Sequence, residues 1–186
     1  MKIEPTHIRD VFVVTPEAHE DQRGFVVETY RKDLFEQAGI TEPMHQIHHV
    51  YSHEPHTMRG LNFQWQPPMG KLVSVARGRA FLVAVDLRKG SPTLGQWFGI
   101  EASESNHAAL YAPSGFARGA LTLEPGTLVK YVSSGVHDGK PAESAITWDD
   151  PDINIAWPLT EQPKYPKQAQ TLKEWLAHPD SDNFQY

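Results

Sequence analysis

The 186-residue chain has the pattern of an all-β sandwich or jelly roll. Short apolar runs of strand length follow one another through its centre. Turn signals separate them at regular intervals, and one central run is apolar on both of its faces. The first expected strand is Val11 to Val14. Phe25 to Tyr30 is a second, and it leads into a short helical pattern from Lys32 to Ala38 that Gly39 ends. Eight more follow: Met58 to Trp65, Lys71 to Ala76, Ala80 to Leu87, Gly95 to Glu101, Ala108 to Ala112, Phe116 to Leu123, Thr127 to Ser133, and Ala145 to Asp149. Gln66-Pro67-Pro68, Arg77-Gly78, Gly90-Ser91-Pro92, Pro113-Ser114-Gly115 and Pro125-Gly126 are the turns between them.

In Ala80 to Leu87, the residues Phe81, Val83, Val85 and Leu87 share one face, and Ala80, Leu82, Ala84 and Asp86 share the other. A strand with two apolar faces is covered on both sides. Asp86 in this run, with Arg88 just after it, calls for a structural polar pairing. Near the end, Thr171 and Glu174 have capping-box spacing before Trp175 and Leu176, which predicts one C-terminal helix. No linker or repeat divides the chain, so residues 1–186 form one domain.

Composition narrows the function classes. Apolar residues make up 39% of the chain, enough for a core. The net charge is −6 with no basic stripe, which argues against nucleic acid as a partner. The longest apolar runs are far too short to span a bilayer. Met1-Lys2-Ile3-Glu4-Pro5 does not begin a signal peptide. There is no cysteine, so there is neither a disulfide framework nor a thiolate metal site. A cytoplasmic protein is the expectation. His45, His48, His49, His53 and His56 cluster, but His-x-His with a following Glu, as a metal-binding barrel needs, is missing. No metal is expected.

A series of blocks carries a more specific signal. They are Asp21-x-Arg23-Gly24-Phe25, Glu28-x-Tyr30, Met58-Arg59-Gly60-Leu61-Asn62-Phe63-Gln64, Pro68-x-Gly70-Lys71-Leu72-Val73, Val83 to Arg88, Gly90-Ser91-Pro92-Thr93-x-Gly95-x-Trp97, Pro113-x-Gly115-Phe116-Ala117-Arg118-Gly119, Trp148-x-Asp150-Pro151 and Ile155-Ala156-Trp157-Pro158. In order and spacing, from roughly Asp21 to Pro158, the chain resembles the dTDP-4-dehydrorhamnose 3,5-epimerases. The resemblance implies a double-stranded β-helix, or cupin-type barrel, with a few short peripheral helices. It implies a homodimer, no cofactor, and a nucleotide-diphosphate 4-keto-6-deoxysugar bound inside the barrel.

Epimerisation beside a ketone needs a base, an acid, and a donor for the enolate oxygen. The resemblance assigns the base to a His in the Arg-Gly-Leu-His block, steered by an Asp near the C-terminus. It assigns the acid to a Tyr before Trp-x-Asp-Pro, and the oxyanion donor to a Lys. Lys71 keeps the last role. The base position is Asn62, whose carboxamide cannot take a proton at neutral pH. The acid position falls at His137 and the steering position near Gln168. Ligand contacts are implied for Arg23, Glu28, Gln46, His48, Arg59, Gln64 and Arg118, the last standing where the family has a His. A guanidinium fork suits a diphosphate. Gly60 is a candidate bulge, because Arg59 and Asn62 lie on opposite faces of a regular strand. Three readings stay open: an isomerase with altered proton transfer, a non-catalytic nucleotide-sugar binder, and a different enzyme on the same barrel.

Overall fold

The computed structural model describes residues 1–137 and 142–186. Its strands run in chain order as β1 (Lys2–Pro5), β2 (Phe12–Thr15), β3 (Ala18–Asp21), β4 (Gly24–Val27), β5 (Gln46–Ser52), β6 (Met58–Gln66), β7 (Lys71–Arg77), β8 (Arg79–Asp86), β9 (Trp97–Ser103), β10 (Ala109–Ala112), β11 (Phe116–Thr122), β12 (Thr127–Ser133) and β13 (Ala142–Ala145). Two short helices, α1 (Lys32–Gln37) and α2 (Leu172–Ala177), lie outside the sheets, and a 3-10 turn spans Pro179–Asn183. One sheet has the order β1-β2-β10-β7-β12-β5, the second β13-β6-β11-β8-β9, and β3-β4 is a separate hairpin. The pairings named for the two large sheets are all antiparallel. This is the expected all-β jelly roll.

The expected strands form close to their predicted bounds, with differences at the ends. β4 stops at Val27, β9 begins only at Trp97, and β13 lies at Ala142–Ala145 because Thr147 to Asp150 turn. β1 and β3 went unforeseen, since Lys2–Pro5 and Ala18–Asp21 are short, polar and mostly exposed.

Alternation explains the layering. Ala80, Leu82 and Ala84 of β8 enter a core between the two sheets with Val73, Val75, Leu110, Phe116 and Val129. Val83, Val85 and Leu87 of the same strand enter a second core with Leu61, Phe63, Leu172, Trp175 and Phe184. Thus β8 is covered on both faces, as its sequence predicts. A third cluster packs Phe35 and Ile40 of the α1 region on Leu72, Tyr111 and Val132, on the far face of the first sheet. The capping box of α2 forms: Glu174 N donates to Thr171 Oγ1 at 3.2 Å, and Thr171 N to Glu174 Oε2 at 2.7 Å.

Asp86 and Arg88 pair as expected. The fully buried Asp86 carboxylate accepts from Arg88 N and Nε (both 2.9 Å), Arg88 Nη2 (2.8 Å), Ser91 Oγ (2.6 Å) and Thr93 Oγ1 (2.7 Å). Burial alone would raise this carboxyl, but these donors outweigh burial and hold it below the ordinary range. Asp86→Ala removes the acceptor and strands a buried guanidinium. The expected cost is about 3–5 kcal/mol, read as a lower urea midpoint at pH 7.

Candidate functional site

The inter-sheet core does not fill the barrel. At one end it gives way to a cavity of about 580 Å³. Strand alternation puts the polar side chains there. On β7, Lys71 shares the inward face with Val73 and Val75. On β12, Tyr131 and Ser133 continue the inward face of Val129, and Lys71 is paired with Ser133. On β11, Arg118 lies between the inward Phe116 and Ala120. The core thus fixes the backbone of each strand, and the strand ends carry the chemistry.

On β6 the expected bulge is present. Asn62 opposes Arg118 and Arg59 opposes Ala120, so an extra residue of β6 lies between the two pairs. Gly60 takes φ +113°, and a Cβ there would stand 2.5 Å from the Arg118 carbonyl. Only glycine allows that approach. The bulge turns Arg59 and Asn62 toward the same cavity. Arg59 is braced at the rim, with Nε on Ser52 Oγ and Nη2 on the Tyr51 carbonyl, both at 2.9 Å.

Three groups have shifted acidities. Burial lowers the Lys71 ammonium, the nearby Arg118 cation lowers it further, and Glu143 opposes both; the result is about 8. Burial pushes the Tyr131 phenol up to about 12, with Arg59 opposing. It therefore stays protonated at neutral pH. Burial pulls Arg118 down to about 10 against Glu42 and Tyr111. The Arg118 guanidinium donates to the carbonyls of Met69 at 2.7 Å, Ala112 at 3.2 Å, and Pro113. It ties the segment before β7 to the end of β10 as well as charging the cavity.

Asn62 has an unforeseen partner. Lys167 Nζ lies 3.1 Å from Asn62 Oδ1. The steering position was expected near Gln168, yet its neighbour Lys167 reaches the cavity. An ammonium has only donors, so the oxygen of Asn62 faces Lys167 and its NH₂ is left to other acceptors. This wall presents donors where the resemblance implies a His and an Asp.

The remaining candidates divide. His48 and His137 line the cavity, and Gln46 Oε1 accepts from His137 N at 2.8 Å from just outside it. Gln64 does not line it: its buried amide donates to the Pro67 carbonyl at 2.9 Å. The amide of Gln64 thus holds the turn at Pro67 instead of reaching a ligand in the cavity. Arg23 and Glu28 also stand away from the cavity. Arg23 is exposed and ion-paired with Asp21, and Glu28 lies 3.8 Å from Arg31. Tyr131, Glu143 and Lys167 were missed. For Tyr131 the alternation with Val129 and Ser133 was a usable signal. Among the described residues no group of three His, Asp or Glu side chains is arranged to hold a metal. Among the same residues no helix is long and apolar enough to cross a membrane.

An antiparallel jelly roll with a cationic interior cavity is a small-molecule site of the cupin-type barrel. Comparison with known proteins makes this specific. The family model described as dTDP-4-dehydrorhamnose 3,5-epimerase matches residues 5–176. A dTDP-4-dehydrorhamnose 3,5-epimerase of Methanothermobacter thermautotrophicus is 39% identical over 158 residues, 83% of this chain and 82% of the relative. The crystal structure of a dTDP-6-deoxy-D-glucose-3,5-epimerase from Legionella pneumophila, in complex with dTDP-4-keto-L-rhamnose, superposes with a TM-score of 0.90 at 35% identity, covering 100% of this chain and 98% of that one. A His-to-Asn, Tyr-to-Phe double mutant of a 3'-monoepimerase from Streptomyces bikiniensis, in complex with dTDP, gives a TM-score of 0.83 at 29% identity, covering 94% of this chain and 89% of that one. The chain belongs to the dTDP-4-dehydrorhamnose 3,5-epimerase family, a family of nucleotide-sugar isomerases.

The Lys71–Arg118 proximity has a measurable consequence. Amine labelling of Lys71 against pH has an expected midpoint near the value of about 8. Arg118→Gln removes the neighbouring cation and moves that midpoint upward.

Proposed function

We propose that this protein epimerises a dTDP-linked 4-keto-6-deoxysugar by an altered proton path. The observation that carries the reading is the placement of Lys71 and Tyr131 together in one cavity, with the Lys71 amine 5.8 Å from the centre of the Tyr131 ring. The Lys71 ammonium holds the enolate oxygen formed when a proton leaves the carbon beside the ketone. Tyr131, a phenol that keeps its proton at neutral pH, supplies the acid. Arg59 and Lys167 supply charge for the diphosphate, and the Asn62 amide donates to a ligand oxygen.

Arg23 and Glu28 fit this reading only with a second copy of the chain. They flank an exposed apolar hairpin, where Phe25 is 57% and Val26 71% exposed. The outer strand β5 adds Ile47, 64% exposed. We infer a homodimer in which the hairpin of one protomer serves the cavity of its partner. A cytoplasmic setting suits a chain without cysteine.

The test is incubation with dTDP-4-keto-6-deoxyglucose in deuterated water, followed by mass spectrometry and proton NMR. Deuterium at C3 or C5, absent with Lys71→Ala, is the expected result. Because Lys71 must be charged to hold an enolate, turnover falls as pH rises through about 8. Binding of dTDP without exchange at any pH rejects the enzyme and leaves a nucleotide-sugar-binding relative.

A further inference from the structure

The proton acceptor is still unassigned. Asn62 and Lys167 fill the wall where the resemblance implies a His–Asp couple, and neither an amide nor an ammonium takes a proton from carbon. Tyr131 holds its proton and Lys71 is assigned to the enolate. Three cavity-lining side chains remain whose atoms include a possible proton acceptor: His48, His137 and Glu143.

Two of these three are together. His137 Nε2 lies 3.6 Å from Glu143 Oε2, and both side chains line the cavity. They arrive from different sheets. His137 follows β12 of the first sheet, and its backbone N–H is pinned to Gln46 Oε1 of β5 at 2.8 Å. Glu143 is on β13 of the second sheet, opposite Gln64. It shares a strand face with Ala145, the partner of Asn62, so alternation aims both toward the barrel interior. The register shift between Ala142 and Glu143 sets that aim locally. Glu143 is also close enough to Lys71 to act on its charge.

From this geometry we propose that His137 is the base of this chain and that Glu143 is its positioning residue. The proposal rests on the epimerase reading above. The Glu143 carboxylate, 3.6 Å from His137 Nε2, favours the tautomer with its proton on that nitrogen, which leaves the Nδ1 lone pair for substrate. Nδ1 takes the proton from the carbon beside the ketone. The C–H electron pair becomes the C=C bond of the enolate, and the carbonyl π pair moves to the oxygen held by Lys71. Tyr131 returns a proton to the carbon as the carbonyl re-forms. Solvent then takes the His137 proton and restores that of Tyr131. A His–carboxylate pair thereby stands beside β6, the strand that carries Asn62.

The experiment measures deuterium incorporation into dTDP-4-keto-6-deoxyglucose at saturating and sub-saturating substrate. It compares wild type with His137→Gln, Glu143→Gln, Glu143→Asp and the His137→Gln/Glu143→Gln pair. His137→Gln is expected to lower kcat by about 10²–10⁴-fold, with KM and the thermal shift given by dTDP unchanged. Glu143→Gln lowers kcat by about tenfold or more, and Glu143→Asp regains part of the loss. The double variant loses less than the product of the two single losses, because Glu143 acts mainly through the ring. Exchange in wild type that survives in His137→Gln overturns the base. A Glu143→Gln effect that adds fully to that of His137→Gln, or falls on KM alone, overturns the positioning role. Absence of exchange in wild type removes the epimerase reading itself and the proposal with it.

Discussion

Holding cations inside a β barrel is costly, and the arrangement of this site follows from how that cost is met. Arg118 is buried between the sheets and Lys71 stands near it. A guanidinium out of water needs acceptors, and Arg118 finds them in the carbonyls of Met69, Ala112 and Pro113. Those carbonyls belong to the segment before β7 and to the end of β10 and the residue after it, so the charge also fastens the cavity floor. Among the described residues, Lys71 has no such set of carbonyls. Burial and the Arg118 cation lower its pKa to about 8, and an anion in the cavity would offset both. A ligand that brings negative charge to this cavity meets an environment already short of it.

Much of the frame was legible because its signals are local. Period-two alternation in β8 announced two buried faces, and the two cores on either side of it are the result. The spacing of Thr171 and Glu174 announced the cap of α2, and Asp86 with Arg88 announced a buried ion pair. Gly60 as a bulge followed from asking how Arg59 and Asn62 could share a site. β1 and β3 were illegible, since short polar strands at an edge or in a hairpin owe their form to partners rather than to pattern.

The site was legible only in part, for a related reason. Lys71 and Arg118 lie in distinctive blocks, and Asn62 was readable as an amide at the position where the resemblance implies a base. Lys167 sits in a segment without periodicity, and only the folded chain carries it to Asn62. His137 follows β12 and Glu143 lies on β13, and sequence spacing alone does not show that their side chains meet. Arg23 and Glu28 read as ligand contacts, but the folded chain holds both outside its own cavity.

The route by which Lys167 reaches the cavity ties the far end of the chain to its interior. Lys164 lies beside Thr57 in a short parallel bridge, donating to the His56 carbonyl at 2.7 Å and accepting from Met58 N at 2.9 Å. A few residues later, Leu172 N donates to the buried Asp150 at 2.7 Å, and α2 docks Trp175 into the second core. Lys167 is strung between these two anchors. Occupancy of the cavity and retention of the C-terminal tail are therefore thermodynamically linked: whatever engages Lys167 tightens the tail, and whatever frays the tail weakens the grip on the ligand by the same free energy.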